Sequence, residues 1–454
     1  MRRRSVSLSG WGRCPVEACD LYRPASVGAM REALASPPFA SAIPRGLGRS
    51  YGDSALNRGG GVVSTRELNR MLGFDGATGL LHAEAGVSVG DVLECLLPRG
   101  WFVATTPGTK FVTIGGAIAA DVHGKNHHRD GSFGDHVRRI ELLLPDGSVR
   151  WCGPDEDAEL FAATIGGMGL TGVILSAELQ LARAPSAWCD VTYRRTRDLC
   201  EALSVLESTD AGYRYSVAWV DTLAGGAGLG RSVVMLGNDA QPEALAGERR
   251  GRPFALPKRR ATSVPFDMPS WLIGPWSVRL FNRYYYGRNE DRRELVDYES
   301  FFYPLDAIRG WNRMYGGRGF VQYQALVPAE TARTSLSLLL EKVAEAKAAS
   351  FLSVLKKAGP PGRGMLSFMR PGYTLAMDLA NTGEPLRRLT RELDAILLKY
   401  GGRLYLAKDA MTDAETFGAM YGELDRFRAV KNRADPSCRL SSSQARRVGL
   451  VEPA

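Results

Sequence analysis

Four of the five histidines, His123, His127, His128 and His136, crowd into one short segment, where imidazoles could bind a metal or handle protons. His123 and His127 stand at the i, i+4 spacing that ligates zinc from one face of a helix. The segment lacks the glutamate of an HExxH motif, and Gly115, Gly116 and Gly124 argue against a long helix, so no metal is expected. The histidines instead continue a glycine-rich run, Thr113-Ile114-Gly115-Gly116-Ala117-Ile118-Ala119-Ala120-Asp121-Val122-His123-Gly124. An earlier run is Arg45-Gly46-Leu47-Gly48-Arg49-Ser50-Tyr51-Gly52-Asp53, and a third is Gly166-Gly167-Met168-Gly169-Leu170-Thr171-Gly172. Glycine lets backbone N–H groups approach an anion closely, and several such amides form a nest for a pyrophosphate. None of the three runs matches a Walker motif or a GxGxxG on a strand–helix turn, which argues against a P-loop or Rossmann site.

The first two runs follow apolar, strand-like stretches, so a sheet edge could present both to one ligand. Gly61–Ser64, Leu80–Ala85 and Arg139–Leu144 read as strands. Val89–Leu97, with Ser88 as its N-cap, and Glu156–Ala163 read as short helices, while Pro107-Gly108-Thr109 and Pro145-Asp146-Gly147 are turns. From Trp188 onward longer strands alternate with helices such as Thr331–Ala348, as expected of a second domain on an antiparallel sheet. Inside it a basic segment (Arg249, Arg250, Arg252, Pro253, Pro257, Lys258, Arg259, Arg260) precedes an aromatic run of Trp271, Trp276, Phe281, Tyr284, Tyr285 and Tyr286. The plainer reading is a surface loop followed by core aromatics. The other is a lid whose cations meet anionic headgroups while Trp and Tyr sit at the interface.

At 454 residues, two domains are the natural expectation. No apolar run approaches the roughly 20 residues of a membrane span, and the N-terminus has arginines without an apolar stretch behind them. The seven cysteines (14, 19, 95, 152, 189, 200 and 438) include no CxxC pair, which points to reduced thiols and a cytoplasmic protein. The net charge of +9 favours an anionic partner. No nucleic-acid-binding motif is present, leaving a phosphorylated substrate or an anionic membrane surface.

The three runs in this order resemble the vanillyl-alcohol-oxidase superfamily of FAD enzymes. Within it the chain is most similar to the decaprenylphosphoryl-β-D-ribose 2′-oxidase family, the flavin half of an epimerase. Further matching pieces are Gly10-Trp11-Gly12-Arg13, Gly131-Ser132-Phe133-Gly134, Asp157-Ala158-Glu159-Leu160-Phe161, Trp311-Asn312-Arg313, Gln322-Tyr323-Gln324 and Gly401-Gly402-Arg403-Leu404-Tyr405-Leu406-Ala407-Lys408-Asp409. The resemblance implies an α+β protein. A two-subdomain FAD-binding domain of the PCMH type would span 1–186, a substrate domain on an antiparallel sheet 187–402, and a segment returning to the FAD domain 403–454. Residues 45–53 (Arg45, Gly46, Leu47, Gly48, Arg49, Ser50, Tyr51, Gly52, Asp53), Gly108, Thr113, Ile114, Gly115, Gly116, Ala120, Asp121, Val122, His123, Ile174 and Tyr405 are implied to hold FAD. Lys408, His123 and Tyr51 are implied to be catalytic, and Lys125, Trp219, Gln324, Lys356 and Lys408 to line the substrate pocket. Flavin oxidation of an alcohol needs a hydride acceptor and a route for the hydroxyl proton, and a cation near the ring favours its reduced form.

The chain also departs from the pattern. Arg49 stands where many covalent FAD binders have a histidine, so non-covalent FAD is expected. Ala376 replaces a pocket cysteine, Phe302 a tyrosine and Ala358 a phenylalanine, and Lys357 and Thr374 differ as well. The expected reaction is oxidation of decaprenylphosphoryl-β-D-ribose at C2′, with a short-chain NAD(P)H reductase as partner for the return step and oxygen or a quinone as electron acceptor. A paralogue acting on a soluble sugar, alditol or nucleoside is the alternative, and a flavin- or membrane-binding protein without turnover is a third. Peripheral membrane contact is expected, on the cytoplasmic or the periplasmic side.

Overall fold

The computed structural model describes residues 3–35, 39–257, 262–269 and 271–452. Lys258, Arg259 and Arg260 of the basic segment lie outside the described residues.

Two sheets precede residue 187. The first has the order Arg3–Ser9, Val16–Tyr22, Gly61–Ser64, Ala42–Arg45, the outer pair antiparallel and the others parallel. The second is antiparallel, with the order Met71–Asp75, Leu80–Glu84, Val173–Arg183, Val137–Leu143, Val149–Cys152, and Trp101–Val103 also paired to Val173–Arg183. Helix Val89–Leu96 carries the expected Ser88 cap, and Asp91 completes a capping box. The helix expected from Glu156 begins only at Ala158, because Glu156 bridges back to Gly153 and Asp157 turns through φ 52°. Part of the second glycine run, expected as a loop, is a short helix at Ile114–Ala119, whose first turn is closed by the Thr113 hydroxyl accepting from Gly116 N–H.

The large sheet is antiparallel and eight-stranded: Arg292–Asp297, Trp188–Thr196, Ser232–Asp239, Tyr215–Val220, Ser353–Ala358, Gly372–Ala380, Phe320–Val327 and Arg403–Leu404. Its central strands are buried along their length, so both faces are covered. Helices Leu199–Ser208, Ala332–Glu345 and Glu384–Lys399 pack on it. The odd-numbered residues meet that layer, as Tyr323 donating to Asp394 and Tyr373 donating to Glu207 show. The even-numbered residues of the same strands therefore face the other way.

Arg403–Leu404 pairs with this sheet, and the chain beyond it crosses to the N-terminal part. Ser441 N–H donates to Ala42, helix Leu424–Ala434 packs on helix Ala158–Thr164, and Arg447 bridges Asp53 and Asp409.

The expected core aromatics are not core. Trp271 and Trp276 are 77% and 78% exposed, and Tyr284 is 59% exposed. Helix Pro275–Arg288 buries only Val278 and Asn282, the latter's side-chain amide donating a hydrogen bond to Asp221, while Tyr285 packs inward on Trp219 at 4.7 Å and Tyr286 donates to the Thr196 carbonyl. Trp276 and Tyr284 face outward. No helix among the described residues is long and apolar enough to cross a membrane.

Candidate active site and cofactor cradle

The Arg45–Asp53 loop is held from three sides. Trp11 and Gly12 donate backbone N–H groups to Ser50 and Tyr51, and Tyr51 donates its own to Ala407. A methyl group at Gly46 would collide with the Thr113 hydroxyl, and one at Gly52 with the Asp409 carbonyl, so only glycine lets the loop press against the second run and the C-terminal segment. The Arg45 guanidinium is spent on the carbonyls of Ser9 and Ala55, and the Asp53 carboxylate on Arg447. The half-buried backbone N–H groups of Leu47, Gly48, Arg49 and Ser50 have no protein acceptor among the described residues. Half-buried amides left free side by side fit a pyrophosphate. Arg49 stacks its guanidinium on Trp11 at 4.1 Å and reaches Phe111 at 5.3 Å.

A chemically dense face adjoins this cradle. Gln322 pairs with Asp378 and Gln324 with Ala376, while Ala376 also meets Val354, Thr374 meets Lys356, and Val354 meets Trp219. Residues directly opposite in antiparallel strands point to the same side. Trp219, Lys356, Thr374, Ala376, Asp378, Gln322 and Gln324 thus share the face turned away from the helices. Across from them, His123 Nε2 lies 2.9 Å from the Gln324 amide, which also donates to Thr374 Oγ1. His123 is flanked by Tyr405 and Phe368, and Tyr405 donates to the Ala120 carbonyl at 2.7 Å. Lys408 Nζ stands 3.8 Å above the Tyr51 ring. Lys125 reaches this region from the segment after His123, lying 4.1 Å from the Phe301 ring and 5.8 Å from that of Phe302 while donating to the Phe301 carbonyl.

Burial and mutual repulsion set the charge states. Burial pushes the Lys125 ammonium down to about 7 and that of Lys356 to about 8. Burial, then the charges of Lys356, His127 and Lys408, hold His123 well below the usual imidazole range, so it is neutral. With Gln324 donating to Nε2, its proton sits on Nδ1, a buried atom with no partner among the described residues. Lys408 is lowered by burial and held up by Asp378, while Asp378 is raised by burial and held down by Gln322 and Lys408. Lys356 thus bears on Lys125, His123 and Lys408 alike, and the three buried amines concentrate positive charge on this side of the sheet.

The structure thus brings Tyr51, His123, Lys125, Gln324, Lys356 and Lys408 together, with Tyr405 and Asp121 at the adjoining cradle. Asp121 is buried, accepts from Ser367 and Gly134, and is pushed up to about 6 by burial. Trp219 shares the face but is packed between Tyr285 and the Phe351 carbonyl. Ile174 is buried in the second sheet, and Gly108 is exposed. Lys357, expected among the altered pocket residues, points to the helical side and pairs with Asp210 and Glu207 at 3.0 and 3.2 Å. An odd number along the strand puts it there. His127, His128 and His136 bond backbone groups of Gly359, Tyr213 and Asp130. Asp378 and Gln322 were missed as site residues. Their signal was the period-two spacing from Ala376 and Gln324.

The chain matches a family model described as FAD binding domain over residues 22–153, and one described as D-arabinono-1,4-lactone oxidase over 377–448. It is 36% identical to decaprenylphosphoryl-β-D-ribose oxidase of Mycolicibacterium smegmatis, covering 98% of this chain and 97% of the relative. It is also 36% identical to an uncharacterized protein in the mprA 5′ region of Streptomyces coelicolor, covering 79% and 98%. A D-lactate dehydrogenase of Anaerostipes hadrus is 28% identical, covering 32% of each chain.

Proposed function

We propose, on the premise that the chain belongs to the FAD-dependent decaprenylphosphoryl-β-D-ribose oxidase family, that it oxidises the 2′-hydroxyl of a polyprenyl-phosphoryl β-D-ribofuranose to the 2′-keto sugar. The observation that carries this reading is the grouping of the buried amines Lys125, Lys356 and Lys408 about the Gln324–His123 contact, with Lys356 on the same sheet face as Gln324. FAD, when bound, supplies the hydride acceptor. The free amides of residues 47–50 would hold its pyrophosphate, with Thr113 to Gly116, Asp121, Ile174 and Tyr405 completing the cradle. Arg49, a guanidinium where a covalent link would need an imidazole, leaves the cofactor non-covalent.

In the pocket, Lys125 and Lys356 are point charges for a phosphodiester, which would in turn keep both protonated. Lys408 orients the reacting hydroxyl above the Tyr51 ring, and its charge favours negative charge developing on the cofactor side. Neutral His123, fixed by Gln324, offers Nδ1–H as a donor without adding a cation. The 2′-keto product of such a step calls for a second hydride donor to complete epimerisation to the arabino sugar, the role we assign to a short-chain NAD(P)H reductase partner. The exposed aromatics and arginines of residues 266–288 support contact with an anionic bilayer, the phase in which a polyprenyl substrate resides.

The test is anaerobic bleaching of the FAD-loaded protein by a prenyl-phosphoryl ribose, by free ribose and by alditols. Bleaching by the lipid-linked sugar alone upholds the proposal. Bleaching by soluble polyols alone replaces it with oxidation of a soluble sugar or alditol, a reading that the small Ala376 and the hydroxyl-free Phe302 would then explain.

A further inference from the structure

Asp378 is fully buried, at 0% exposure, on the pocket face of strand Gly372–Ala380. Its Oδ1 accepts from the Gln322 amide, and its backbone N–H is met by Ser350 Oγ at 3.0 Å and the Leu352 carbonyl. Its Oδ2 is also buried and has no partner among the described residues. A buried acceptor left so bears its full desolvation cost unless something answers it. Lys408 carries the matching deficit: among the described residues its ammonium has the Tyr51 ring beneath it and no hydrogen-bond acceptor. No ion pair joins the two groups among the described residues, but the Tyr51 ring beneath Lys408 packs at 5.4 Å on Phe320, two residues along the strand from the Gln322 that holds Asp378, which places the carboxyl and the amine on the same side of the sheet. Everything else that faces them is accounted for. Tyr51 from the cradle loop, Lys356 from the neighbouring strand and His123 from beyond the second glycine run surround Lys408. Gln322, Tyr51 and Tyr315, whose buried hydroxyl is likewise unpartnered, surround Asp378.

We propose that Asp378 is a positioning residue for Lys408: the charge of its free carboxylate oxygen, acting without direct contact, biases the amine toward the reacting hydroxyl, and the two groups together take up the proton that hydroxyl releases. This rests on the oxidation proposed above. In that step the O–H bond breaks and its electron pair becomes the second bond of the C=O, while the C–H pair leaves as hydride to the flavin. The proton passes to Lys408 and Asp378, which go from sharing one proton to holding two. The added positive charge stays in the pocket beside the reduced cofactor, so no charge separation into bulk water is required. Gln322 keeps the carboxylate aligned by its amide, and the seventh and sixth strands of the sheet fix both residues to one register.

The experiment is competitive acetylation of the Lys408 amine by acetic anhydride in the FAD-loaded protein without substrate, from about pH 5 to 10, read peptide by peptide by mass spectrometry. Asp378→Asn preserves shape and the Gln322 contact but removes the charge. The labelling midpoint of Lys408 should move toward acid by about one unit, a tenfold gain in reactivity at a fixed pH below it, with the midpoint of Lys125 unmoved. An unmoved Lys408 midpoint overturns the proposal. Should the Asn variant fail to hold FAD, Lys408→Met gives the reciprocal test. Loss of the cation must carry Asp378 protonation to higher pH, read as the infrared carboxylic-acid band, and an unchanged band overturns the proposal equally. Neither readout involves turnover, so a sugar that fails to bleach the flavin would sink the substrate reading while leaving these midpoints to decide on Asp378.

Discussion

The side-chain amide of Gln324 donates to Nε2 of His123 across 2.9 Å, joining the seventh strand of the large sheet to the segment that follows the second glycine run. This contact ties the His123 segment to the sheet, and it fixes the tautomer of a histidine that burial keeps neutral.

Gln324→Leu removes that donor and leaves a buried imidazole nitrogen without a partner. We expect a loss of about 1–3 kcal/mol in unfolding free energy, measured by denaturant titration, because the orphaned group bears its full desolvation cost. Flavin reduction should slow more than FAD binding weakens, since the cradle amides are untouched.

The lysines predict a pH dependence in substrate affinity. Burial lowers Lys125 to about 7 and Lys356 to about 8, and only the protonated amines attract a phosphodiester. Affinity for a prenyl-phosphoryl sugar is therefore full on the acid side of this window and falls as pH rises through it. KM measured from pH 6 to 9 should climb about tenfold per lost amine contact, with affinity for a phosphate-free sugar flat. Lys356→Met should abolish the upper part of that rise.

Gly46→Ala places a methyl group where the Thr113 hydroxyl caps the helix Ile114–Ala119. The cap is worth about 1 kcal/mol, and the displaced loop loses its free amides besides. The variant should purify colourless or lose FAD on gel filtration, read as the ratio of flavin to protein absorbance.

The helix Pro275–Arg288 predicts a surface effect. Trp271→Ser with Trp276→Ser should weaken co-sedimentation with vesicles containing phosphatidylglycerol about tenfold or more, while flavin reduction by a short-chain, water-soluble substrate analogue stays unchanged. The side chains stand more than three-quarters exposed and touch no catalytic group, so stability should not move. Equal sedimentation of both proteins would refute the bilayer contact.

Much of the cradle could be read from residues alone. Glycines at 46, 48 and 52 about Tyr51, directly after a strand, mark a tight loop, and the segment around Lys408 carries its own spacing. The pocket face was harder, because it exists only through strand register. Asp378 is ordinary in sequence until Gln322 is seen opposite it, and Lys357 differs from Lys356 by one residue yet lands on the other side of the sheet. The aromatic run misled for a related reason: apolar side chains normally go inside, but helix Pro275–Arg288 turns one face inward through Val278, Asn282 and Tyr285 and leaves Trp276 and Tyr284 on the other, exposed face. Arg447, which ties Asp53 to Asp409 from near the C-terminus, left no local pattern at all.

The most direct measurement is anaerobic stopped-flow reduction of the FAD-loaded protein by a matched pair, a prenyl-phosphoryl β-D-ribofuranose and its 2′-deoxy analogue. The account predicts rapid bleaching by the ribose and none by the deoxy sugar, with both bound at similar affinity through Lys125 and Lys356. Equal bleaching by the two, or bleaching that persists in Lys408→Met at the wild-type rate, would contradict it.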